Sequence, residues 1–392
     1  MKKVLIVGGK LQGTEACYLG MKAGIEITLI DKDPHAPAVK MADRFVCADI
    51  MSGSEKVTDE IRRADMVLPT LENYDVLKYM DELSEKLGFI YAFDMDAYEI
   101  SSSKKESDLL FHMNGVSAPA YYPNGSCPYI AKPDVGSGSH DVIYFSDRDE
   151  VERFAEGPGS DMIIQEYVQG PSYSVEVIGS PGNYRAYEIT QIHVDDIYDC
   201  NKVTAPCRIR RKKADKFSAE AIRIAELMQL KGIMDFEVID HNGDLKMLEI
   251  DARLPSQTPT AVYKTTGVNY MNELYGLFVE GVMKEKANRR KVYSAYEHFL
   301  ISDSTVDAPG EHVMTEGHPL MYREKNMGAD EVITDRETDS NQFRATVICT
   351  AKTLPGLKLK QRRAMAHLEE ASHIRDKKTS RVHDADRKEV LT

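Results

Sequence analysis

The chain contains no tryptophan, only six cysteines, and no pair of them spaced C-x-x-C. Cys17, Cys47, Cys127, Cys200, Cys207 and Cys349 are therefore read as reduced thiols, because neither a zinc-ligand spacing nor a disulfide framework is indicated. Long apolar runs are also missing: none approaches the roughly 18 residues that cross a bilayer. The N-terminus runs straight into a strand with no signal-peptide pattern, so the expected location is the cytoplasm, with no membrane partner. Basic charge is scarce as well. The net charge of −13 argues against nucleic acid, since phosphate contacts need clustered Lys and Arg.

What is present suits a globular protein of several domains. The 392 residues are 42% apolar and 29% charged, enough for two or three cores. Residues 1–100 alternate strand and helix signals: strands at 4–7, 25–31, 65–70 and "FIYAF" (89–93), helices at 14–23 and 74–87. That alternation predicts a parallel, doubly wound α/β domain. A second unit, 101–180, carries strands at 128–133, 141–145 and 161–168 and a helix at 147–156. The third, 181–392, has strands before a helix at 215–230, then "GIMDFEVID" and "LKMLEID" joined by "HNGD", which read as a hairpin. After about residue 355 the chain is charged and sparsely apolar: a solvated helix, a frayed tail or a docking arm.

The first loop, Gly8-Gly9-Lys10-Leu11-Gln12-Gly13, half-matches the dinucleotide fingerprint G-x-G-x-x-G. Lys10 stands where the middle glycine would let a pyrophosphate approach the backbone. Asp31 ends the next strand, where a ribose-binding acid would lie. Two other readings compete with a dinucleotide site: a tight turn packing the first helix, or the border of a substrate pocket with Lys10 facing an anion.

A denser constellation lies in "MDFEVIDHNGDLKMLEIDARLPSQTPT", residues 234–260. Alternate strand residues share a face, which groups Asp235 with Glu237, and Glu249 with Asp251 and Arg253. If the hairpin brings the two faces together, four carboxylates crowd one side of a sheet, and that is costly without a cation. Magnesium takes carboxylate and phosphate oxygens, so Glu237, Glu249 and Asp251 are read as metal ligands on ATP. Arg253 is read as the catalytic cation that stabilises a transferring phosphoryl group. An exposed acidic hairpin is the plain alternative.

Phosphate partners lie upstream. Lys132 enters the loop Gly136-Ser137-Gly138-Ser139, whose backbone could cover phosphates, and Lys104 is a second cation. The strand end Gln165-Glu166-Tyr167-Val168 offers an adenine edge backbone and carboxylate contacts, and Ser174 and Glu176 share one face of the next strand.

In this order, with "QEYVQG" and "LEIDAR" following the lysines and the glycine loop, the chain resembles the ATP-grasp superfamily over residues 1 to about 300. The resemblance implies a Rossmann-like pre-ATP-grasp domain, then ATP-grasp subdomains of α+β type, with ATP and magnesium. Two positions depart from the usual pattern: Asp251 replaces Asn in Glu-x-Asn-x-Arg, and Tyr173 stands where many members have a ribose-gripping Glu. "GGKLQG", "IDKDP", "QEYVQGPSYSVEVIGSPGNY", "YDCNKVTAP" and "GIMDFEVID…LEIDARLPSQTPT" further resemble the pyrrolysine-biosynthesis ligases. That implies activation of the (3R)-3-methyl-D-ornithine carboxylate as an acyl phosphate and attack by the ε-amine of L-lysine. Another carboxylate–amine pair would use the same phosphate and metal groups. Substrate residues are then expected at Lys10, Leu11, Gln12, Glu72, Ser174, Glu176 and Asp235, with Glu176 or Asp235 accepting the amine proton. Asp196 or Asp199 could add to the second amine's pocket, and a metal site from His193, Asp195 and Cys200 is a weaker alternative. Partners are small molecules, with a homodimer allowed. A nucleotide sensor without turnover and a nicotinamide dehydrogenase complete the alternatives, and the hairpin acids have no role in the latter.

Overall fold

Val4 and Ile6 point to one side of the first strand and Leu5 and Val7 to the other, and both sets are buried. The first pair packs with Tyr18 and Leu19, the second with Val57, Ile61 and Met80. A strand apolar on both faces needs cover on both, which is the doubly wound arrangement expected. Its strands are β1 (Lys3–Val7), β2 (Glu26–Asp31), β3 (Arg44–Cys47) and β4 (Met66–Pro69), all parallel, in the order β3-β2-β1-β4. The helices are α1 (Leu11–Ala23), α2 (Glu55–Arg63) and α3 (Tyr74–Leu87). "FIYAF", expected as the fourth strand, makes only an isolated parallel bridge, Tyr91 to Val67. Ile90 and Ala92 exchange two backbone bonds with Val67, and Asp94 then caps α4 (Met95–Ser101).

The structure, a computed structural model, describes residues 1–136, 141–283, 292–337 and 342–389, with side chains to Ser372. After α4, α5 (Lys104–Met113) leads to a small antiparallel sheet of β5 (Tyr129–Lys132), β6 (Ile143–Phe145) and β7 (Ile163–Glu166), with α6 (Arg148–Ala155) against β6. Its core is Tyr129, Ala131, Phe145, Val151 and Ile164.

The next strand, β8 (Ser172–Ser180), belongs to the large sheet, although sequence grouped it with the middle unit. With β9 (Asn183–Ala186), β10 (Thr190–Val194), β11 (Cys200–Ala205), β12 (Gly232–His241), β13 (Asp244–Asp251), β14 (Tyr293–Ile301), β15 (Val306–Asp307), β16 (Met321–Glu324), β17 (Glu331–Thr334) and β18 (Phe343–Ala351), it makes an eleven-stranded sheet among the described residues. α7 (Arg211–Leu227) covers β8 and β9; α8 (Thr258–Thr266) and α9 (Tyr270–Tyr275) pack against α1. The charged tail begins as a packed helix. In α10 (Leu354–Glu389), Leu357, Ala364, Leu368 and Ala371 face β14 and β18 at helical spacing. No described helix is long and apolar enough to cross a membrane.

A buried ion cluster ties the two ends of the chain together. Glu331 on β17 accepts from Lys22 Nζ at 2.8 Å, Lys264 Nζ at 2.8 Å and Tyr18 Oη at 2.5 Å. Burial alone would raise its carboxyl, but these donors hold it down to about 2. The N-terminal domain is thereby fixed against the large sheet, and the cleft between them is the site.

Candidate active site

The three central strands set the geometry. In register, Asp235 on β12 faces Glu176 on β8 and Asp251 on β13; Glu237 faces Ser174 and Glu249. Directly opposed residues share a face, so two rows of polar groups cross the sheet. The turn itself is a two-residue loop with Asn242 at φ 51° and Gly243 at φ 103°, the left-handed pair such hairpins favour. That turn alone would set Phe236 opposite Glu249. A bulge between Glu237 and Val238, with Leu248 as the extra residue, shifts the register by one and turns Glu249 and Asp251 onto the face of Glu237 and Asp235.

Crowding shows in the proton affinities. Burial, then the neighbouring acids, push Glu237 well above the usual carboxylate range. Burial, then Glu176, raise Asp235; burial raises Asp251 against the pull of Arg253. Arg253 Nη2 lies 3.1 Å from Asp251 Oδ2 and 2.8 Å from Glu72 Oε1. Gln12 Nε2 also donates to Glu72 Oε1, at 2.8 Å. The hairpin thus reaches across to the first loop and to the chain after β4.

That loop is shaped by close packing. Gly8 has φ +104°, and a Cβ on Gly13 would lie 2.2 Å from Gly8 O. Asp31 is committed to the turn, accepting from Gly9 N at 2.6 Å and Asp33 N at 2.8 Å. A cavity of about 890 Å³ opens beside it, lined by Lys10, Leu11, Gln12 and Glu72 on one side and by Asp235, Glu237, Glu249, Asp251 and Arg253 on the other.

The remaining expected residues that the structure describes are not among those lining this cavity. Lys104 Nζ pairs with Glu249 Oε1 at 3.2 Å and donates to Gly136 O at 2.6 Å. Lys132 is held near Glu249 and Asp108; burial lowers its pKa against their charges. Ser137, Gly138 and Ser139 lie outside the described residues. Gln165 is buried and donates to Asp108 at 2.7 Å, and Glu166 accepts from Ala120 N at 3.1 Å, so both side chains serve the protein. Val168 is buried beside them. Ser174 and Glu176 lie behind the cavity wall: Ser174 Oγ donates to Asp235, and Glu176 accepts from Tyr270 Oη at 2.8 Å.

Hard oxygen donors on one face fit magnesium. Among the described residues no three of them already converge on a coordination sphere, and Glu249 is drawn toward Lys104. His193, Asp195 and Cys200 form no such group either. Asp195 organises its own turn, accepting from Ile197 N and Asp199 N at 3.0 Å, and burial pulls His193 down to about 4.

Residues 102–257 match the ATP-grasp domain model. The 3-methyl-D-ornithine–L-lysine ligase of Methanosarcina barkeri is 38% identical over 81% of this chain and 85% of its own; that of Methanosarcina acetivorans is 36% identical over 89% and 97%. The chain belongs to the family of 3-methyl-D-ornithine–L-lysine ligases. The fold is shared more widely. A biotin carboxylase–ATP complex from Campylobacter jejuni superposes with a TM-score of 0.70 at 15% identity, covering 94% of this chain and 91% of that one. An L-amino acid ligase from Bacillus licheniformis gives 0.66 at 15%, covering 94% and 98%.

The cavity is also lined by residues that the sequence pattern does not single out, among them Gln257, Glu311 and Thr315. Glu311 comes from a short 3-10 turn, Glu311–Thr315, far from the hairpin in sequence. No spacing connects it to the hairpin. The "SQTPT" run was the available signal for Gln257, which holds φ +69° at the start of α8.

Proposed function

We propose that this protein joins the carboxylate of (3R)-3-methyl-D-ornithine to the ε-amine of L-lysine, with ATP converted to ADP and phosphate. The observation that carries the reading is the cavity wall, where Arg253 and the hairpin acids of β12 and β13 meet the glycine loop. The identity to the Methanosarcina ligases supports the substrate pair.

A carboxylate oxygen of the ornithine attacks the γ-phosphorus, and ADP leaves. The lysine nitrogen then attacks the acyl carbon, and phosphate leaves with the bonding electrons. Arg253 supplies fixed positive charge where the phosphoryl group passes. Glu237, Glu249 and Asp251 would hold magnesium, which when bound neutralises phosphate charge. Lys104 from the first turn of α5 and Lys132 from the small sheet approach the phosphates with Gly136, and Gln165–Val168 offer backbone to the adenine edge. Lys10, Leu11, Gln12 and Glu72 border the amino-acid end. Asp235 is the better proton acceptor of the two acids considered. It lines the cavity, whereas Glu176 is sealed behind it, and its raised proton affinity suits a base working near neutral pH.

The test is ADP release with magnesium-ATP, L-lysine and D-ornithine or its 3-methyl form, with mass spectrometry of the product. ADP is expected only with both amino acids present, and the product mass equals their sum less water. ADP release with a different pair, or none despite ATP binding, would overturn the reading.

A further inference from the structure

β13 is the outermost strand of the large sheet, paired on one side only. The free edge of such a strand carries N–H groups that need acceptors from elsewhere. Met247 N finds Ser117 O at 2.7 Å, and Ala252 N finds Ser101 Oγ at 3.0 Å. The second bond falls where the strand stops. The ladder ends at the pair Asp235–Asp251, so Asp251 is held by its strand and Arg253 is not. Beyond the ladder the chain turns a corner at Ala252, where Arg253 N donates to Asp251 O at 2.9 Å. Ser101 Oγ holds that corner by its central N–H.

Ser101 is itself fixed. It is 3% exposed and lies on the buried face of α4 with Ala97 and Tyr98. Its hydroxyl donates to Tyr98 O at 3.3 Å while accepting from Ala252 N, so both capacities of the group are used. α4 is clamped at its start, where Asp94 Oδ2 accepts at 2.7 Å from the N–H of Lys231, the residue before β12. On the same face Tyr98 Oη donates to Glu72 O at 3.1 Å. One short helix therefore holds the backbone at Glu72 and at Ala252, and the side chains of Glu72 and Arg253 meet at 2.8 Å between those two contacts. Neither Tyr98 nor Ser101 lines the cavity.

We propose that Ser101 is a positioning residue for the ligation: by holding the corner at Ala252, its hydroxyl aims the Arg253 guanidinium at the transferring phosphoryl group. This rests on the ligase reading above for the reaction. The rate is steeply sensitive to where an aimed cation sits. A merely structural Ser101 would lower stability and leave turnover by the folded enzyme unchanged.

The experiment measures ADP release by the full chain with magnesium-ATP, L-lysine and 3-methyl-D-ornithine, in a double-mutant cycle of Ser101→Ala and Arg253→Lys. Ser101→Ala is expected to lower kcat about tenfold or more and to leave each KM within about twofold, because Asp251 keeps its ladder. Ser101→Thr restores the hydroxyl and is expected to keep kcat within about threefold of wild type. In an Arg253→Lys background, adding Ser101→Ala is expected to cost less than about twofold, since the group it aims is already gone. Unchanged kcat in Ser101→Ala, a loss carried by KM, or losses that multiply in the double variant would overturn the proposal. Hydrogen exchange gives a second readout that needs no turnover. The peptide spanning Asp251–Leu254 should exchange faster in Ser101→Ala than in wild type or Ser101→Thr, and equal protection in all three would overturn it as well. If Ser101→Ala does not fold, Ser101→Cys, whose sulfur accepts weakly, takes its place with an expected kcat loss of roughly threefold or more. Failure of the ligase reading would appear separately, as absent ADP release by the wild type.

Discussion

Glu249 stands opposite Glu237 because Leu248 is an extra residue on its strand. A two-residue turn with strict pairing would put Glu249 and Asp251 on the other face, since a shift of one residue exchanges the faces of a strand. Deleting Leu248 is therefore expected to leave the hairpin paired and to scatter the acid cluster. Magnesium-ATP affinity should fall roughly 100-fold or more, as when a metal site loses its ligands, while the far-ultraviolet circular dichroism stays β-like. Retained affinity in the deletion variant would show that the bulge does not build the site.

The same crowding makes a statement about stability. Burial and three neighbouring acids raise Glu237 far above its ordinary range, so the ionised cluster is strained without a cation. Glu237→Gln removes one of those charges at nearly constant shape. In EDTA the variant should be more stable than wild type by about 1–2 kcal/mol in urea unfolding, a trade common at functional sites. Added magnesium-ATP should then stabilise the variant far less than it stabilises wild type. A variant less stable in EDTA would mean that Glu237 is held by contacts of its own.

The hairpin and the acids along it were legible from sequence because period-two alternation and a turn rich in Asn and Gly are local signals. The bulge was not, and without it the grouping of Glu249 with Glu237 would have failed. β14 to β18 were unread, and of the pairings among them β14 with β18 is the one between strands distant in sequence. β14 pairs along its length with β18, and no spacing announces that Ala295 meets Cys349. Glu176 shows a further limit. Alternation placed it correctly on the face of Ser174 but could not tell a cavity wall from a layer behind it, where Tyr270 from α9 takes its carboxylate. Lys104 was picked as a cation, and its position at the first turn of α5, under the cap of Ser103, puts it beside Glu249.

Arg253 bridges two acids with one nitrogen, Glu72 from the N-terminal domain and Asp251 from the hairpin. Arg253→Ala would leave both without their cation inside the cleft, and stability should fall by roughly 3–5 kcal/mol, as for breaking a buried pair. Arg253→Lys keeps the charge but not the planar fork. It should fold with a small change in melting temperature and lose about 10²–10³ in kcat, measured as ADP release with saturating substrates. A lysine variant with near-normal kcat would reduce Arg253 to a structural brace.

Glu15 gives a pH dependence that is independent of the acid cluster. It lies on α1, 1% exposed, and accepts from Thr260 N in the first turn of α8 at 2.5 Å. Burial, against those bonds, pushes its carboxyl up to about 7 from an ordinary 4.5. The folded protein therefore holds this proton more tightly than the unfolded chain. The stability it lends is complete below about pH 4.5 and is lost as pH rises through 7, by up to roughly 3 kcal/mol. Glu15→Gln keeps an acceptor for Thr260 N and cannot ionise. Urea unfolding at pH 5.5 and pH 8 should show the wild type weakening toward alkaline pH and the variant weakening less, so that the variant is the more stable of the two at pH 8. Parallel pH profiles for the two proteins would place the titration elsewhere, in the carboxylates of the cleft.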